Sequence, residues 1–250
     1  MPETLALTRL LNAIFGGPVT SLLNAIGVHP ANTSAPITDA FALELLIAAV
    51  LLAFFIVVRF TLSVEKPAPP QQFAEMIHEF VGGQAEQIIG HGYERFQSLV
   101  TIVGIFILAM NLIGLIPGIN SPTESPVVPL GIAIVIFVYY NFHGFRVQGF
   151  GGYMAHFAGP VWWLWWLLFP IEIISHLARI MSLSVRLYAN MFAGGLVTLV
   201  FFSLIPIGIP VAFLGLHLLV SVIQAFVFTL LVLIIFRWLS RTKPKRKPIF

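Results

Sequence analysis

Glu172, Ser175, His176, Arg179, Arg186 and Asn190 recur at helical spacing within the apolar stretch "PIEIISHLARIMSLSVRLYANMFAGG". At about 100° per residue all six fall within roughly 100° of arc, a polar stripe about 27 Å long. Further on, His217, Ser221 and Gln224 form a second, shorter stripe. Carboxylate, imidazole, hydroxyl and amide groups accept or relay hydrogen bonds, and Glu and His change protonation within accessible pH. Two facing stripes of this kind are the raw material of a proton path. Arg186 offers different chemistry. A guanidinium stays charged, so it holds a fixed positive potential that attracts a carboxylate and repels cations. No Asp or Glu lies within ten residues of it on either side, so its partner must come from another helix or another subunit.

Most of these residues also have a plainer reading. Glu172 and His176, an i, i+4 pair, suit a hydrogen bond inside a helical bundle. Arg179 suits snorkelling near a membrane surface as well as it suits function. His217 and Gln224, each taken alone, suit hydrogen bonding between helices. Asn111, in "NLIGLIPG", suits a structural hydrogen bond better than a water path. His78, His91, His143 and His156 are placed in loops or surface helices. Arg186 resists such a reading, because a charged side chain at the bilayer centre costs from about 3 to more than 10 kcal/mol.

The elements that must position these groups follow from composition. The chain has 250 residues, of which 58% are hydrophobic and 9% charged, against about a quarter charged in soluble domains. Runs of roughly 20 apolar residues suffice to cross a bilayer. They occur at 41–62, 98–117, 127–145, 161–204 and 211–239. The fourth run, at about 1.5 Å per residue, is about twice the hydrocarbon thickness. It is either bent near Pro170 or steeply tilted, and with the fifth run it makes a long helical hairpin. Residues 1–40 read as an N-terminal segment, in part an interfacial helix, and 41–250 as one membrane domain. Residues 72–95, with Phe73, Ile77 and Phe80 on one face, read as an amphipathic surface helix. "RVQGFGGYMAHFAGP" reads as a Gly-rich connection, and Trp162, Trp163, Trp165 and Trp166 as an interfacial anchor. The fold class is therefore an all-α polytopic membrane protein.

Lys66, Arg95, Arg146 and the tail "RWLSRTKPKRKPIF" fall on one side of these spans, while loops 118–126 and 205–210 carry no Lys or Arg. That asymmetry predicts the N-terminus outside and the C-terminus in the cytoplasm. The N-terminus lacks the pattern of a cleaved signal peptide. With no cysteine, disulfide and thiolate-metal chemistry are excluded. A metal hydrolase would want H-E-x-x-H, and a serine hydrolase G-x-S-x-G; neither is present. A secondary transporter would favour inverted repeats and broken helices, and none is seen. The basic tail suits a cytoplasmic flank or anionic lipid, not nucleic acid.

"PIEIISHLARIMSLSVRLYANMFAGG", "HLLVSVIQAFVFTLL" and "MNLIGLIPG" together resemble subunit a of the F-type ATP synthase, over about residues 70–236. The resemblance implies a membrane stator subunit without a catalytic site or cofactor of its own. Its implied partners are a ring of c subunits, b-type peripheral stalk subunits and the rest of the synthase, in a bacterial inner membrane. Two offset aqueous half-channels would lead protons to and from a carboxylate on each c subunit, with Arg186 separating them. Glu172, Ser175, Asn190, His217 and Gln224 match family positions tied to the channel or the rotor interface. His176 is not expected at its position. Gly195 stands where many relatives carry Glu or His, so one half of the pair it would form with position 217 is missing.

Overall fold

A computed structural model describes residues 5–25, 27, 35–116, 118–158, 165–204 and 208–241; side chains are described for these except at 147–158, 165, 168, 172, 176, 209–210 and 238–241. The order is α1 (Ala6–Ala25), α2 (Asp39–Phe60), α3 (Pro69–Ile89), α4 (Glu94–Ile113), a 3-10 turn (Pro122–Glu124), α5 (Val127–Ala158), α6 (Trp165–Leu204) and α7 (Ile209–Arg241). Among the described residues five helices are long and apolar enough to cross a membrane: 39–60, 94–113, 127–146, 169–204 and 211–237.

Local chemistry explains the boundaries. Thr38 caps α2, its hydroxyl accepting from the Phe41 N–H, and Asp39 lies in the first turn near the positive helix end. Asp39 also accepts from Thr8 at 2.5 Å, tying α1 to the start of α2. Pro69 and Pro70 cannot extend α2, but they open α3, where a missing N–H costs nothing. The expected surface helix ends at Ile89, before residue 95. Gly90 and Gly92 take φ of 77° and 90° and turn the chain, so Glu94 and Arg95 begin the next helix. On α3 the buried residues are Gln71, Val81, Gly82 and Ala85. Of the face expected to bury, Ile77 packs on the core, whereas Phe73 and Phe80 are exposed, with ring contacts edge-on to Phe54 and tilted to Phe226 respectively.

The Gly-rich segment after Arg146 is helical through Ala158, not a loop. Gly inside a helix costs only about 1 kcal/mol relative to Ala, and the first proline comes at 160. His143 accordingly lies inside α5, with its ring 5.0 Å from that of Phe96. Helix α6 is continuous over 40 residues with Pro170 inside it. At about 60 Å, it exceeds an upright span. Pro170 lies close to the helix start, where few hydrogen bonds are lost. Trp166 is 64% exposed, while Trp162 and Trp163 lie outside the described residues, as does the tail from 242.

The core forms where α4 packs on α7 and α6 packs on α5 and α7. Ile107, Met110, Tyr140, Leu187, Met191, Val232, Leu233 and Phe236 fill it. At its outer end, the 3-10 turn is fixed by a buried polar cluster. Thr123 Oγ1 donates to Asn111 Oδ1 at 2.8 Å. Asn111 Nδ2 donates to the Ser221 carbonyl at 3.4 Å, and Ser121 Oγ to the Met110 carbonyl at 2.8 Å. Close approach of the turn to α4 requires glycine at 114: a methyl there would sit 2.7 Å from Ser121 Cβ and 3.1 Å from its backbone nitrogen.

Thr123→Val preserves shape but strands the buried Asn111 acceptor, which costs about 1–3 kcal/mol. We expect a lowered thermal unfolding midpoint for the detergent-purified protein. An unchanged midpoint would show that the cluster does not hold the turn.

Candidate functional site

Three features are lined by α6 and α7. The first is an open groove of about 710 Å³. Ser175, Arg179, Ser182 and Arg186 enter it from successive turns of α6, and Leu231, Ile234, Ile235 and Arg237 from α7. Its described lining therefore holds three guanidinium groups and no carboxylate. Arg179 and Arg186 are both exposed. The fixed charges of Arg179 and Arg186 on one wall make the groove receptive to an anion.

The second feature is a cavity of about 230 Å³, lined by Asn190, Ala193, Gly194 and Thr198 of α6 and by Phe213, Leu216, His217 and Val220 of α7. His217 is 5% exposed, and its buried Nε2 has no hydrogen-bond partner among the described residues. Its ring sits against Gly194, where a methyl would lie 3.3 Å from Nδ1. An imidazole nitrogen left unpaired in a largely apolar cavity, with Asn190 and Thr198 as its other polar side chains, suits a water better than a structural hydrogen bond.

The third is a cavity of about 360 Å³ toward the loop end, lined among others by Asn120, Glu124, Gly195, Thr198 and His217. His217 and Thr198 line both cavities and so stand between them. Glu124 reaches α6 from the 3-10 turn. A methyl on Gly195 would lie 2.7 Å from Glu124 Oε1, 3.1 Å from its carboxyl carbon and 3.4 Å from Oε2. Burial pushes the Glu124 carboxyl above the usual carboxylate range, opposed by a backbone hydrogen bond with Ser121.

The sequence stripe is thus divided. Ser175, Arg179 and Arg186 share the groove; Asn190 joins His217 in the neighbouring cavity. The stripe does not bury itself inside the chain. Leu183, Leu187 and Met191 take the buried face of α6, which leaves Arg186 at its exposed margin. Asn111 has the structural role expected of it. Ser221 is buried, its carbonyl accepts from Asn111, and its hydroxyl points at Met191 Sδ, 3.8 Å away. Gln224 is half-buried on α7. Glu172 and His176 lie on the α6 backbone, with side chains outside those described.

Glu124 escaped sequence reasoning. Its only signals are weak ones: an acid in a loop without Lys or Arg, and consecutive glycines on the polar side of a helix.

A family model described as "ATP synthase A chain" matches residues 41–236. ATP synthase subunit a of Koribacter versatilis (strain Ellin345) is 52% identical over 228 residues, 91% of this chain and 93% of that protein. ATP synthase subunit a of Solibacter usitatus (strain Ellin6076) is 40% identical over 222 residues, 89% of this chain and 94% of the relative. ATP synthase subunit a of Helicobacter pylori (strain Shi470) is 42% identical over 166 residues, covering 66% and 74%.

Cavities of these sizes hold several waters, each needing about 30 Å³. Because the chain has no cysteine, single cysteines placed at 175, 182 and 190 should react with small water-soluble thiol reagents in native membranes. Cysteines at 187 and 191, whose native side chains are buried, should react at least tenfold more slowly. Equal rates at 190 and 187 would remove the water-filled cavity from the account.

Proposed function

The chain belongs to the ATP synthase A chain family, and from that premise we propose that it is the proton-conducting stator subunit of an F-type ATP synthase. The observation that carries this reading is Arg186 itself, exposed beside Arg179 on the wall of a groove whose described lining holds no acid. An arginine in an apolar segment is stable only beside a counter-charge or water. A carboxylate carried on a neighbouring ring of c subunits meets that need each time one passes.

In this reading the deprotonated carboxylate pairs with Arg186, and the fixed charge lowers its proton affinity at the moment of release. Because guanidinium does not give up its proton, Arg186 also bars a direct proton wire between the two sides. Ser175 and Arg179 lie toward the start of α6 from Arg186, and Asn190 and His217 on the other side of it. That arrangement supports two offset half-channels, one on each side of the arginine. The Ser175 end, with Glu172 and His176, faces the cytoplasm; the Asn190–His217 end faces outside, in agreement with the Lys and Arg asymmetry of the loops. Gln224 belongs to the rotor-facing surface of α7. Peripheral stalk subunits hold the chain still while the ring turns in a bacterial inner membrane.

Arg186→Ala in the reconstituted synthase should reduce ATP-driven proton pumping at least a hundredfold and open a passive proton leak. Coupled pumping at the native rate by this variant would overturn the proposal.

A further inference from the structure

The loop carboxylate at 124 occupies a position that a structural role does not explain. No Lys or Arg lines its cavity among the described residues, so it is not half of an ion pair there. The side-chain hydrogen bonds that tie the turn to α4 come from Ser121 and Thr123, while the Glu124 carboxyl meets the Ser121 backbone within the turn itself. Those bonds nevertheless aim it: Thr123, clamped to Asn111, is its immediate neighbour in the chain. Its carboxyl group fills the volume that any side chain at 195 would need, since even a methyl would approach Oε1 to 2.7 Å. One helical step earlier, Gly194 makes the same allowance for the His217 ring, at 3.3 Å. Two consecutive glycines of α6 thus admit an acid from the loop and an imidazole from α7 to one cavity wall.

We propose that Glu124 is a proton-carrying residue of the outer path, its carboxylate standing in the side-chain space of Gly195 and exchanging protons with the His217 side of the cavity. This inference rests on the half-channel reading above. A proton from outside water adds to the Glu124 carboxylate. It leaves through cavity water toward the free nitrogen of His217 and then toward Asn190. Glu124 returns to its carboxylate form and His217 to neutral imidazole, so the net change is one proton moved. Glu124 is suited to this step because a carboxyl shifted upward by burial takes up and releases protons nearer neutral pH than a solvated one.

The test uses reconstituted ATP synthase, with subunit content verifying assembly. Glu124→Gln should slow ATP-driven proton pumping at least fivefold. Gly195→Ala, which leaves the polar contacts of the turn intact but expels the carboxylate, should also slow it. A merely structural Glu124 would not be rescued by an acid placed elsewhere. The double variant Glu124→Ala with Gly195→Glu, which moves the acid to the helix while vacating the loop, should therefore pump within threefold of native. A smaller effect of Glu124→Gln, or a double variant no faster than Glu124→Ala alone, overturns the inference. If Glu124→Gln does not assemble, Gly195→Ala and the double variant decide. Native pumping by Arg186→Ala would instead sink the underlying reading, whereas an inactive Arg186→Ala beside an active Glu124→Gln sinks only this one.

Discussion

The hydrogen bond from Thr123 to Asn111 holds together parts of the chain that share no sequence neighbourhood. Asn111 is fully buried near the end of α4, where an unpaired amide costs several kcal/mol. Its two ends are satisfied by the loop hydroxyl and by the Ser221 carbonyl of α7. The same side chain therefore fixes the outer loop, α4 and α7 relative to one another. Helix α6 then closes against this frame through Leu187 and Met191. Glu124, next to Thr123 in the turn, takes its place from that arrangement.

Helix α6 combines two demands that pull apart. It must bury enough apolar surface to stay fixed, and on the proposed reading it must leave a cation where another subunit can reach it. Leu183, Leu187 and Met191 meet the first demand on one face. Arg179 and Arg186 meet the second on the adjoining margin, with Arg237 of α7 across the groove. Glycines at 194 and 195 extend the division of labour, because they give the helix a flank with no side chains of its own. That flank is then furnished by neighbours.

Hydrophobic run length was enough to place the helices. The spans at 41–62, 98–117, 127–145 and 211–239 differ from the helices by a few residues at most ends. The larger differences have local causes: the glycines after Arg146 do not stop α5, because their helix penalty is small, and the positive-φ pair Gly90 and Gly92 breaks the surface helix from α4. The stripe containing Arg186 was also legible, because a 3.6-residue period survives in any amphipathic segment. Which edge of that stripe is buried was not, since this depends on the packing of Leu187 and Met191 against other helices. Glu124 was illegible for a deeper reason. Its importance lies in the volume missing at Gly195, 71 residues later, and an absence of atoms leaves no periodic trace. The side chains at 172 and 176 complete the stripe in sequence only.

Thr198 and His217 are shared by the walls of the two outer cavities. Compartments joined at one partition behave as resistances in series. Enlarging either one gains nothing while the partition limits the flow, and damage at the partition masks damage on either side. If the chain acts as the proposed stator, that partition, one imidazole and one hydroxyl, would limit the current from a place apart from the groove that Arg186 lines.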